Sequence, residues 1–170
     1  MVSSEVPCTI RPLLPQDEPF LWEMLYQAIY VPPGDAPPAR SILDQPELAH
    51  YVRGWGRPGD LGLLAEDAEG SPLGAAWLRL FDADDPGYGF VDDQTPELSI
   101  ALLPGARGWG TGSRLMAALL EQARAAGHRT VSLSVSPDSP ALRLYQQLGF
   151  VTVGQVGGSL TMLKELSKGR

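Results

Sequence analysis

The sequence predicts an α/β (α+β) fold, a mixed sheet with helices on its faces. Three observations carry the prediction. Strand-like runs and helix-periodic segments follow one another in the order β-α-α-β-β-β-α-β-α-β-β. Nineteen Gly and sixteen Pro punctuate those runs, as short elements joined by defined turns require. The 170 residues, 44% hydrophobic and 19% charged, suffice for one compact domain with a real core, taken as residues 1–170.

The elements follow in chain order. Thr9 to Leu14 reads as a short edge strand, limited by Pro12 and Pro15. Asp17 is placed to cap a helix with Glu18 and Pro19 in its first turn and Leu21, Met24, Leu25 and Ala28 on its apolar face. Tyr30 to Ala39 is rich in Pro and Gly and reads as loop. Asp44 and Glu47 have capping-box spacing ahead of Leu48, Tyr51, Val52 and Trp55, which predicts a second amphipathic helix. Gly62 to Ala65 and Leu73 to Phe81 read as a hairpin, and Leu98 to Leu103 as the next strand. Between them, Asp82 to Glu97 carries six acids and no base and reads as a long loop. Leu115, Met116, Leu119, Leu120 and Ala123 mark a long helix closed by Gly127. Val131, Leu133 and Val135 alternate on one face of a strand from Thr130 to Val135. A short helix from Pro140 to Leu148 stops at Gly149, and strands Phe150 to Val156 and Leu160 to Leu163 close the chain across Gly157-Gly158.

Thirteen basic against twenty acidic residues give a formal charge of −7. That field repels a phosphate backbone, so no nucleic-acid partner is expected; it serves solubility and favours cationic small molecules. Cys8 is the sole cysteine, and His50 and His128 the only histidines, so no disulfide and no metal site is expected. No apolar run has membrane-spanning length, and Met1 to Glu5 shows no secretory signal, so the default expectation is a cytoplasmic protein without a membrane partner.

The sharpest chemical signal is Pro104-Gly105-Ala106-Arg107-Gly108-Trp109-Gly110-Thr111-Gly112-Ser113, between a strand and the strongest helix. Its glycines clear side chains from a helix N-terminus, where unpaired N–H groups and the positive end of the dipole suit a pyrophosphate. The alternative is a turn that serves only strand-to-helix packing. A P-loop would need Gly-Lys-Ser/Thr, and no lysine is present. A dinucleotide fingerprint would need glycine where Ser113 stands and an acid after Leu133-Ser134-Val135-Ser136.

Arg107-x-x-Gly110-x-Gly112 resembles the R/Q-x-x-G-x-G/A signature of the GNAT superfamily of acetyl-CoA-dependent N-acetyltransferases. Glu97 to Pro104 is similar to that family's fourth strand and the proline after it, and Ala141 to Phe150 to its Leu-Tyr-x-x-x-Gly-Phe segment, in the family's order. The resemblance implies a central, mostly antiparallel sheet whose fourth and fifth strands splay apart, with helices on both faces. It implies acetyl-CoA as co-substrate and no metal. Ile100, Ala101 and Leu102 would pair with the pantetheine arm, and Arg107, Gly108, Trp109, Gly110, Thr111, Gly112 and Ser113 would wrap the pyrophosphate. Arg107 adds a charge or shapes the loop; Trp109 packs over the loop or faces solvent.

Tyr145 aligns with the family's usual general acid, which protonates the departing thiolate; the other reading is a tyrosine that packs its helix onto the sheet. Glu97 is the candidate general base, unless it only ends the acidic loop, with Asp92 and Asp93 as weaker candidates. The N–H of Leu102 is the expected carbonyl donor. Asp138 stands where the family commonly has Asn; a carboxylate accepts but does not donate, and Ser139 is the substitute donor.

On the acceptor side, Trp22, Tyr26, Tyr30, Tyr51 and Trp55 with Asp82, Asp84, Asp85, Asp92 and Asp93 suggest a cationic amine with some apolar surface, although Tyr51 and Trp55 also read as core. The resemblance therefore implies acetyl transfer to a primary amine: a small molecule, a peptide N-terminus or a lysine. A non-catalytic acetyl-CoA-binding domain and a purely structural domain are the alternatives. A monomer and a homodimer are both compatible with the apolar terminal strands.

Overall fold

A computed structural model describes residues 8–166, and Met1 to Glu5 lie outside them. The described chain builds seven strands and four α-helices. They are β1 (Thr9–Pro12), α1 (Glu18–Ala28), α2 (Pro46–Ala49), β2 (Leu61–Glu66), β3 (Pro72–Arg79), β4 (Glu97–Leu102), α3 (Thr111–Ala125), β5 (Thr130–Val135), α4 (Ala141–Gln147), β6 (Val151–Val156) and β7 (Ser159–Glu165). One sheet contains all seven strands in the order β1-β2-β3-β4-β5-β7-β6. Neighbours are antiparallel except β4 and β5, which run parallel. None of the described helices is long and apolar enough to cross a membrane.

Strand alternation divides the interior into two cores. On one side Leu63, Ala76, Leu78, Leu98, Val131 and Leu133 meet Leu115, Met116 and Leu119 of α3, with Tyr145 and Phe150. On the other, Ala75, Trp77 and Ala101 meet Leu21, Met24 and Leu25 of α1, with Tyr51, Val52 and Trp55. β4 thus sends Leu98 toward α3 and Ala101 toward α1, and its two faces belong to different cores.

The second helix is shorter than its periodicity predicts. α2 is a single turn with Gln45 as N-cap and no side-chain cap bond, so the Asp44/Glu47 capping box does not form. After it, the carbonyls that a continuing helix would use are taken by β3. Arg79 Nη1 donates to His50 O at 3.1 Å and Arg53 O at 2.7 Å, and Trp77 Nε1 donates to Tyr51 O at 3.0 Å. Gly54 and Gly56 at φ 72° and 105° then turn the chain out of helical geometry. Trp55, Tyr51 and Val52 are buried as predicted, but from a turn.

The first helix begins where predicted with a different use for its acid. The carboxylate of Asp17 makes no cap bond; it accepts from the guanidinium of Arg11 and from the N–H of Leu14. A partner in β1 outcompetes the helix end, because a bidentate ion pair is stronger than one capping bond.

Candidate active site

The parallel pair at the centre of the sheet barely pairs. β4 and β5 share a single register position, Glu97 with Ser132, and diverge beyond it. On its other edge β4 is fully paired to β3, and Leu103 continues that ladder by donating to Leu73 O at 2.8 Å. Backbone groups alternate along a strand, so Ala101 and Ser99 share the orientation of Leu103 toward β3. Ile100 and Leu102 therefore present their N–H and C=O groups to the gap. Of the three strand residues expected to pair with a ligand, the backbone of Ala101 is committed to β3, while its side chain lines the cleft.

That gap opens into a cleft of about 770 Å³. Its walls come from α1 and the proline-rich loop, from β4 and β5, and from the start of α4. At one end of it lies the N-terminus of α3. No N–H from Gly108 to Ser113 donates to another described residue; the first amide to do so is Arg114, to Gly110 O at 3.1 Å. Gly108 and Gly110 sit at φ 84°, a conformation that disfavours any side chain. Gly112 is different: its φ is ordinary, and a Cβ there would make only van der Waals contact with Leu102 at 3.6 Å. The protein itself does not require glycine at 112. The row of free amides at the positive end of a fifteen-residue helix is suited to an anion.

The side chains around this turn divide. Arg107 Nε donates to Leu102 O at 3.3 Å and its Nη2 to Gln27 Oε1 at 3.0 Å, so the guanidinium ties the turn to β4 and α1. Trp109 is 43% exposed. Ser113 is exposed and Thr111 buried. Asp138 is exposed and lies off the cleft wall, which Ser139 lines instead while its Oγ accepts the N–H of Ala141 at 3.2 Å.

Tyr145 and Glu97 line the same cleft, one on α4 and one at the start of β4, where that strand still pairs with β5. The Tyr145 ring packs edge-on to Phe150, and its hydroxyl has no hydrogen-bond partner among the described residues. Burial pushes its pKa up to about 12, which keeps the proton on the oxygen at neutral pH. Glu97 is buried. Loss of water pushes its pKa up to about 7, against hydrogen bonds from Tyr51 and Gly89 that hold it down.

Those bonds form a network that local sequence does not announce. Tyr51 Oη donates to Glu97 Oε2 at 2.5 Å and accepts the N–H of Tyr88 at 2.8 Å; the N–H of Gly89 donates to Glu97 Oε1 at 3.1 Å. Tyr51 thus has a polar role besides its place in the core. Gly87 is confined by the same group, since a Cβ there would stand 2.2 Å from Glu97 Oε1.

The remaining acids are elsewhere. Asp82, Asp84, Asp85, Asp92 and Asp93 are absent from the cleft wall. Asp82 accepts from the N–H groups of Asp84 and Asp85, Asp92 from that of Gln94, Asp93 from the Gln94 amide, and Asp85 lies 2.8 Å from His50 Nδ1. The loop sends Tyr88 and Glu97 to the cleft, but its five aspartates are held by nearby backbone and side chains and stay off the wall. Trp22 and Trp55 also lie off the wall, whereas Tyr26, Tyr30 and Tyr51 are on it.

A half-open parallel strand pair, a glycine turn of free amides and a buried tyrosine–carboxylate bond thus meet around one cleft. The sequence matches the acetyltransferase (GNAT) family over residues 22–150, and the chain belongs to that family. It is 34% identical over 123 residues to the mycothiol acetyltransferase of Clavibacter sepedonicus, covering 66% of this chain and 36% of that protein. The mycothiol acetyltransferase of Saccharomonospora viridis is 33% identical over 118 residues, covering 68% and 38%. The chain therefore spans little more than a third of the length of these relatives. Among solved structures, a phosphinothricin acetyltransferase of Sinorhizobium meliloti in complex with acetyl-CoA superposes with a TM-score of 0.66 at 22% identity, covering 95% of this chain and 89% of that one. Mutant forms of the spermidine/spermine N-acetyltransferase SpeG of Vibrio cholerae give 0.60 at 20% identity, covering 94% and 95%. At such identities these two show the fold.

Proposed function

We propose that this chain is an N-acetyltransferase domain, one unit over residues 1–170, that transfers the acetyl group of acetyl-CoA directly to a primary amine. The observation that carries this reading is the gap between β4 and β5, with unpaired amides of the α3 N-terminus at one end and Glu97 and Tyr145 lining the same cleft. Family membership and the acetyltransferase names of its relatives support it.

In this reading the amides of Gly108 to Ser113 hold the pyrophosphate, and Gly112 leaves room for the backbone to approach it. Ile100 and Leu102 pair with the pantetheine arm, and the Leu102 N–H polarises the thioester carbonyl. Arg107 positions the turn through Leu102 and Gln27. Trp109, Thr111 and Ser113 contribute main-chain N–H groups, and Ser139 takes the contact first assigned to Asp138.

An amine attacks only after losing a proton. Glu97, with a pKa near neutrality, takes that proton, directly or through a water. The nitrogen forms the new N–C bond, the C–S bond breaks, and the thiolate takes the Tyr145 proton. The nitrogen gives its second, surplus proton to the Tyr145 oxygen, directly or through a water. The amide and free coenzyme A leave, Tyr145 is already reprotonated, and Glu97 releases its proton to solvent.

Thiol release from acetyl-CoA with a panel of amines tests the reading. Amine-dependent release is expected. Binding of acetyl-CoA without release for any amine would leave a binding domain, and absence of both would remove the coenzyme site.

A further inference from the structure

The acceptor half of the cleft has an uneven chemistry. Its wall is made of Tyr26, Tyr30, Tyr51 and Tyr88 with Pro37 and Pro38. The wall is preformed, because Tyr26 Oη donates to Pro38 O at 2.6 Å and so pins the proline-rich loop to α1. Among the described residues, only two charged side chains line the cleft, Glu97 and Arg107. Arg107 stands beside the coenzyme end, with its guanidinium already bonded to Leu102 O and Gln27. The five aspartates of the acidic loop are off the wall.

We propose, resting on the acetyltransferase reading above, that the acceptor is an apolar monoamine: one ammonium on an aromatic or bulky aliphatic body, with no second charge. The single ammonium finds Glu97, and its body lies against tyrosine and proline faces. Near those rings an ammonium also gains from the negative π faces. A second ammonium would enter an apolar wall with no counter-charge, and an unpaired buried charge is strongly disfavoured. A carboxylate on the acceptor would meet repulsion from Glu97 and, among the described residues, no free cation on the tyrosine side. The wall selects by what it omits.

The experiment compares kcat/KM for 2-phenylethylamine, phenylalanine and spermidine by thiol release from acetyl-CoA. Phenylalanine adds only a carboxylate to the first amine, and spermidine replaces the apolar body with further ammonium groups. The expected preference for 2-phenylethylamine over each is about 100-fold, the scale at which unmatched polar groups are rejected. Spermidine or phenylalanine turning over as well or better overturns the assignment, as does turnover of none of the three. The variant Tyr30→Glu adds a carboxylate to the wall. It is expected to raise the spermidine-to-phenylethylamine ratio about tenfold, the effect of about 1.4 kcal/mol; an unchanged ratio contradicts the proposed wall. Thermal stabilisation by acetyl-CoA, measured alongside, separates the two readings. Stabilisation with the wrong order of amines removes only the acceptor class, whereas no stabilisation removes the acetyltransferase reading beneath it.

Discussion

Two buried tyrosines line one cleft and differ in what their hydroxyls do. Tyr51 is bonded twice, donating to Glu97 and accepting from Tyr88, and the carbonyl of the same residue is held by Trp77. Tyr145 packs its ring on Phe150 and leaves its hydroxyl unbonded among the described residues. Burial raises the pKa of both, and the neighbouring Glu97 raises that of Tyr51 further. Burial therefore does not distinguish the bonded tyrosine from the one proposed as general acid. Partnership does: a hydroxyl already bonded inside the protein sets the state of its partner, while an unbonded one is available to a substrate.

The sharpest way to break this contrast is Tyr145→Phe. It should lower kcat by about 100-fold or more, within the range for a general acid. Affinity for acetyl-CoA should stay unchanged, because the ring keeps its packing on Phe150. Retained turnover would remove Tyr145 as the acid.

Tyr51→Phe should act differently. It leaves Glu97 Oε2 and the Tyr88 N–H without their partner and should cost about 1–3 kcal/mol of stability in chemical denaturation. It also removes a bond that favours the carboxylate. In the parent, kcat should rise with pH through about 7 as Glu97 loses its proton. In the variant that rise should move to higher pH. A rise that stays in place would show that Tyr51 does not tune Glu97.

Glu97 also ties stability to pH. Its folded pKa of about 7 lies above its ordinary value of 4.5, so the protonated form is favoured by folding. The corresponding stability is fully present below the ordinary value and is lost as pH rises through about 7, in total on the order of 3 kcal/mol. Glu97→Gln should abolish that part of the slope in denaturation measured between pH 4 and 8. An identical slope in parent and variant would place the carboxylate in water.

The smallest effect expected on the fold comes from Gly112→Ala. The added methyl meets only ordinary contact with Leu102 and improves helix propensity, so stability should hold or rise by less than about 1 kcal/mol. Acetyl-CoA affinity should nevertheless fall about tenfold, or about 1.4 kcal/mol, in titration calorimetry. Unaltered affinity would detach the turn from the coenzyme.

The sequence made some of this legible and hid the rest for physical reasons. The order of elements follows from local periodicity, and so do the span of β5 and the start of α1. The glycine turn was legible because its φ angles and free amides are set within a few residues. The shortness of α2 was not, because the groups that end it, Trp77 and Arg79, lie more than twenty residues on. The Tyr51–Glu97 bond spans 46 positions and joins two residues that each look ordinary in isolation. The acidic loop misled because composition reports charge without direction: Asp82 and Asp92 fold back onto their own backbone, and Asp85 and Asp93 meet His50 and Gln94.

Amide hydrogen exchange with and without saturating acetyl-CoA tests the central claim most directly. Protection is predicted at residues 108–113 and at Ile100 and Leu102, with Ala101 unchanged because its amide already faces β3. Protection confined to other segments, or none at saturation, would contradict it.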